Sequence, residues 1–178
     1  MQKWHKWSDG SWHEFAEESA QGIFKRKAKE VTKALHLAVS MVDVDGIRLA
    51  LEDPTCPKSA ILVDSPGRCI LHNLGAGLNS VTPPPGPSLD EAIALLTSRG
   101  ASLETQGAPD WTSPLGQAVV RGDLATVSAL ARAGASLDTT ISKRGRTLEQ
   151  AAQFYLSWDT RIQRAMLQLI AELHASCV

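Results

Sequence analysis

Apolar positions along the chain come in short helical phrases separated by turn residues, not in one long stripe. The clearest phrase runs from Ser113 to Asp138. Ser113-Pro114-Leu115 starts a short helix through Gln117, Ala118, Val119 and Val120, and Gly122-Asp123 breaks it. A second helix follows, with Val127, Leu130 and Ala131 at helical spacing, and Ala133-Gly134-Ala135-Ser136 closes it. Pro114 suits a first helical turn, where a missing N–H costs nothing. Gly134 suits a C-terminal cap, which needs a left-handed residue.

Similar phrases can be placed by counting. Leu115 and Leu148 lie 33 residues apart, within Ser113-Pro114-Leu115-Gly116-Gln117-Ala118 and Arg146-Thr147-Leu148-Glu149-Gln150-Ala151. Leu71, within Gly67-Arg68-Cys69-Ile70-Leu71-His72-Asn73-Leu74, precedes Leu115 by 44 residues, one period plus 11. The excess is visible as a Pro/Gly-rich run, Thr82-Pro83-Pro84-Pro85-Gly86-Pro87, in an insertion at about residues 75–87. Ser88-Leu89-Asp90-Glu91 then reads as a capping box restarting a helix. Ile93, Leu96 and Gly100-Ala101-Ser102-Leu103 match Val127, Leu130 and Gly134-Ala135-Ser136-Leu137. Upstream, Ala34-Leu35-His36-Leu37-Ala38 repeats the phrase, with Ile47, Ala50 and Leu51 in the second helix. The last copy predicts a first helix from Leu148 to about Trp158 and a second carrying Ile162, Met166, Leu169, Ile170 and Leu173.

A turn, two antiparallel helices and a Gly-Ala ending, at a period near 33, resemble the ankyrin repeat, whose phrase is Thr-Pro-Leu-His-x-Ala. The resemblance covers about residues 31–175 in four copies, the outer two degenerate, as capping units are. The first copy departs from it by ending in Asp53-Pro54-Thr55-Cys56-Pro57, and the third has Trp111 where a turn glycine is common. It implies an all-α solenoid of stacked helix-turn-helix units with short β-turn fingers. An irregular helical bundle is the alternative. Residues 31–178 would form the repeat domain and residues 1–30 an extra N-terminal capping segment.

In that segment Trp4, Trp7, Trp12 and Phe15 surround Ser8-Asp9-Gly10-Ser11. Asp-Gly between aromatic runs predicts a two-residue hairpin turn, with Trp7 facing Trp12 and Trp4 facing Phe15. The competing reading is helical, with Ser11-Trp12-His13-Glu14 as a capping box opening a helix through Ala20. The basic run Phe24-Lys25-Arg26-Lys27-Ala28-Lys29 could meet phosphates. Glu14, Glu17, Glu18 and Glu30 nearly balance it, favouring a solvated helix face.

A formal net charge of −1 gives no polyelectrolyte signature for nucleic acid or anionic membrane. The three cysteines, Cys56, Cys69 and Cys177, are scattered and fit reduced thiols in a cytoplasmic protein. The start lacks an apolar signal core, and no window is long enough to span a bilayer. Secretion or delivery into a host cell by a route without a cleaved signal stays open.

Candidate chemistry is sparse. His36 and His72 fall at the histidine of the repeat phrase, which in the family bonds backbone in neighbouring turns. His5 and His13 could approach each other in a hairpin but lack an evident third ligand for zinc. Neither Cys56 nor Cys69 has a base to activate it. The phosphate-loop, dinucleotide-binding, nucleophile-elbow and zinc patterns are all missing. The expectation is a non-enzyme with no catalytic residues, no cofactor and no metal.

The resemblance implies protein recognition through the turn tips and the concave face of the first helices. On this chain those positions are Arg68, Asn73, Asp110, Trp111, Gln117, Arg121, Arg146 and Tyr155. Trp111 either anchors a partner or lies over the neighbouring turn, and Trp158 is expected to pack between the two helices of the last copy. The leading expectation is a protein-protein interaction module, an inhibitor or a small adaptor, with self-association compatible. The alternative is a nucleic-acid-associated protein using the Trp/Lys-rich N-terminus; no membrane partner is expected.

Overall fold

The computed structural model describes residues 3–6, 12–15, 20–62, 67–78, 86–107 and 112–176. Strands β1 (Lys3–Lys6) and β2 (Trp12–Phe15) form a two-stranded antiparallel ribbon. Helices α1 (Ala20–Met41), α2 (Val44–Glu52) and the short α3 (Ser59–Leu62) follow, then a 3-10 turn at Ile70–Asn73. Helices α4 (Gly86–Ser98), α5 (Pro114–Arg121), α6 (Leu124–Arg132), α7 (Leu148–Tyr155) and α8 (Thr160–Ser176) complete the order. Beyond the ribbon, the described residues form a helical fold.

The phrases become packed pairs: α1 with α2, the 3-10 turn with α4, α5 with α6, and α7 with α8. Each pair then touches the next in two rows. One row runs α1, 3-10 turn, α5, α7; the other runs α2, α4, α6, α8. A helix of eight or nine residues is too short to be stable alone, so stability must come from burying apolar faces between rows. Leu35, Leu71, Leu115 and Leu148 are all buried on the first row, and Ile47, Ile93, Val127 and Met166 on the second.

Some backbone hydrogen bonds recur between the first and third units, and others between the second and third. The Asp43 N–H donates to Ala38 and the Ile47 N–H to Asp43, each at 2.9 Å. The Asp123 N–H donates to Ala118 and the Val127 N–H to Asp123, each at 3.0 Å. Asp43 and Asp123 also cap the second helices, their carboxylates accepting from Gly46 and Thr126 N–H. At the helix ends, Ala101 and Ala135 N–H donate to Leu96 and Leu130 at 3.0 Å. Gly100 and Gly134 supply the left-handed residue there, with φ 97° and 95°. The first unit has Val42 (φ 55°) where the third has Gly122 (φ 74°). A β-branched residue adopts this conformation only under strain, and Val42 is held there by burial.

The ribbon corrects the expected register. Lys6 pairs with Trp12, Trp4 with Glu14 and Lys3 with Phe15, a slip of one from Trp7–Trp12 and Trp4–Phe15. This pairing is out of step with a two-residue turn at Asp9-Gly10, which would set Lys6 opposite His13. Residues 12–15 are strand, so the helix expected from Ser11 begins instead at Ala20 and continues unbroken to Met41. Helix α4 likewise starts at Gly86, ahead of the expected capping box at Ser88; proline is tolerated in a first turn, so Pro87 does not stop it. Glu91 pairs with Arg48 on α2 at 2.6 Å, and Asp90 with Arg132 on α6 at 2.9 Å. These half-exposed pairs contribute about 0–1 kcal/mol each but fix α4 between its neighbours. Helix α7 stops at Tyr155, short of Trp158, and Leu156 takes the buried position after it. The loop residues Pro83, Pro84 and Pro85, together with Cys177, lie outside the described residues.

Leu115→Ala is expected to cost about 2–5 kcal/mol in urea unfolding, whereas Leu49→Ala, 71% exposed on α2, should stay within about 0.5 kcal/mol. Equal effects would contradict the packing described.

Candidate protein-binding surface

Two antiparallel bridges lie between successive pairs, Gly107 with Thr112 and Ile141 with Arg146. In the second, Ile141 N–H donates to Arg146 at 2.8 Å and Arg146 N–H returns a bond at 3.1 Å. Ser142 (φ 71°) and Gly145 (φ 63°) turn the chain within it. Each bridge leads into a capped helix. Ser113 Oγ accepts from Gly116 N–H, and Thr147 with Gln150 forms a complete capping box.

Beside the first bridge lies His72, 1% exposed. Its Nε2 is 2.8 Å from the Thr112 carbonyl, and its Nδ1 is 3.0 Å from the Cys69 carbonyl and 3.4 Å from the Cys69 thiol. An imidazole held at both nitrogens away from solvent ties the 3-10 turn to that bridge, as the repeat phrase implies. Cys69 takes the hydroxyl's place in that phrase, and its Sγ also reaches the Ser102 carbonyl at 3.3 Å. Burial pushes the thiol pKa of Cys69, and of half-buried Cys56, above the ordinary value. The structure thus corrects one expectation, since Cys69 does have an imidazole beside it, at His72 Nδ1. His36, the counterpart in the first unit, is half-buried. Among the described residues no group of three or more His, Cys, Asp or Glu is placed to hold a metal ion, and no helix is long and apolar enough to cross a membrane.

Of the expected contact residues, Asp110 and Trp111 lie outside the described residues, as do Asp64, Ser65 and Pro66 of the preceding tip. Asn73 is half-buried on the 3-10 turn. Gln117 is half-buried, its Oε1 accepting from the Thr112 hydroxyl at 3.3 Å. Arg68 is half-buried, with its Cγ filling the space beside Gly107; a Cβ there would come within 2.5 Å.

Arg121, another of the expected contact residues, is half-buried. Its guanidinium turns inward, donating to the His72 and Leu74 carbonyls, each at 2.8 Å. A single 3-10 turn leaves its last carbonyls without helical partners, and Arg121 supplies them from α5. Burial lowers the pKa of the guanidinium, with Asp123 opposing.

The structure does bring together Arg146 and Tyr155, through a residue the sequence reading passed over. The Arg146 guanidinium sits 4.2 Å above the Phe154 ring and 5.9 Å from Tyr155. The two rings meet edge to face at 5.0 Å and 86°. Phe154 is 58% exposed, and Trp158, expected to pack between the last helices, is 71% exposed in the turn after α7. The missed signal was helical phase: Leu148, Ala151 and Ala152 mark the buried arc of α7, and Phe154 falls off it. At the other end of the same row, Leu37 and Met41 are exposed on α1. Lys25, Arg26, Lys27 and Lys29 line an exposed part of that helix.

No family model matches the chain, and no curated protein is found similar to it.

Removing the Arg121 guanidinium should strand two carbonyls at a helix end. Arg121→Met, which keeps an apolar stem, is expected to cost about 2–3 kcal/mol in urea unfolding, with Arg121→Lys recovering part. A neutral Arg121→Met would show that the two bonds do not hold the 3-10 turn.

Proposed function

We propose that the chain is an ankyrin-type repeat protein acting as a non-enzymatic binding module. It would dock a folded protein partner against its finger tips and first-row helices, and so inhibit or recruit it. The architecture supports this through four helix pairs in two rows, with antiparallel bridges between them. Stacked units of this kind offer an extended surface in place of an enclosed pocket.

The observation that carries the reading is the exposed aromatic surface of the last pair. Phe154 and Trp158 leave more than half of their area to solvent, although buried positions were at hand for Leu156 and Met166. Exposed Trp, Tyr and Arg are the types that dominate interface energetics. Arg146 is already stacked on Phe154, so ordering it on binding costs little entropy.

The test is capture of the partner from nuclease-treated lysate of the source cells, followed by titration of the purified complex. Phe154→Ala and Trp158→Ala should each weaken it about tenfold or more, equivalent to roughly 1.4 kcal/mol, with thermal unfolding unchanged. Retention only of nuclease-sensitive material, lost on removing residues 1–30, would instead favour the nucleic-acid reading.

A further inference from the structure

The last finger differs in charge from the rest of the chain. Lys143 and Arg144 are exposed on its turn, with Arg146 at its base and Arg161 and Arg164 on α8. Residues 141–165 hold five basic side chains and two acidic ones, Glu149 and Asp159, whereas residues 1–140 hold 13 basic and 16 acidic. Both acids are engaged elsewhere. Asp159 caps α8 through the Arg161 and Ile162 N–H groups, at 2.9 and 3.1 Å. Glu149 lies 3.6 Å from His174 Nδ1. Among the described residues no carboxylate is paired with Arg144 or Arg146.

We propose that this finger and the adjoining face of α7 bind an acidic segment of a protein partner. The inference rests on the binding-module reading and deepens it. Arg146, stacked at 4.2 Å on Phe154, is held as a planar fork of donors, the geometry that takes a carboxylate in two parallel hydrogen bonds. Arg144, exposed on the turn, extends the positive field. Phe154 and Trp158 receive the apolar side chains interspersed among the acids. Nucleic acid fits less well. One face of Phe154 is covered by Arg146 and Tyr155 meets it edge to face, which leaves less ring to stack a base. The net negative charge of residues 1–140 opposes a long phosphate chain but not a short peptide.

The test titrates the full chain with three labelled probes: a short peptide of glutamate and leucine, its glutamine isostere, and single-stranded oligothymidylate. The glutamate peptide should bind about tenfold or more tighter than the glutamine one, with the preference falling as salt rises. Arg144→Glu, on an exposed turn where folding is not at stake, should abolish the preference. Trp158→Ala should weaken both peptides alike. Equal affinity for the two peptides, tighter binding of oligothymidylate, or a preference that survives Arg144→Glu would each overturn the proposal. The broader reading fails separately. A captured partner that is lost with Trp158→Ala but insensitive to Arg144→Glu would keep the binding module and remove the acidic segment.

Discussion

Apolar contact between one helix pair and the next is the constraint on which everything else in this structure depends. Leu71 sits on a 3-10 turn of four residues and Leu115 on a helix of eight. Neither element could persist in water, where short helices are marginal even in favourable sequences. Each is fully buried because neighbours on both sides cover it. The terminal pairs carry the longest helices. Helix α1 has 22 residues and α8 has 17.

Short elements create a second problem, since every helix end leaves backbone groups without partners. The chain solves it with a small set of polar struts reaching between units. His72 joins the 3-10 turn to the following bridge, and Arg121 returns from α5 to the carbonyls at the end of that turn. Glu104 accepts from the Ser136 N–H at 2.8 Å, joining the loops that end two successive units. These struts tie successive units to one another. They also explain why a surface-type residue such as Arg121 is withdrawn from the surface.

Much of the frame was legible in the residues themselves. The paired phrases around Leu96 and Leu130 and the glycines at 100 and 134 correspond to equivalent geometry, whereas the 33-residue step from Leu115 to Leu148 does not, because the caps Ser113 and Thr147 put Leu115 second in its helix and Leu148 first. What escaped reading was set by contacts distant in sequence. The roles of Asp90 and Glu91 follow from arginines on α6 and α2, more than forty residues away. The ribbon's register is out of step by one residue with the two-residue turn that Asp-Gly suggested. Among the contact residues, Arg146 and Tyr155 are brought together, while Arg121 donates to two carbonyls that no local pattern announces. Phe154 was recoverable from helical phase. Trp158 was not, because its exposure depends on α7 ending at Tyr155, where Leu156 takes the buried site.

The central claim is that partners meet the finger and first-row side of the stack at its last unit. Hydrogen exchange read by mass spectrometry, comparing the free chain with its captured complex, tests this most directly. The account predicts slowed exchange concentrated in the turn and helix of residues 141–158, with α2, α4 and α6 unchanged. Protection confined to those second-row helices, or to residues 1–30, would contradict it.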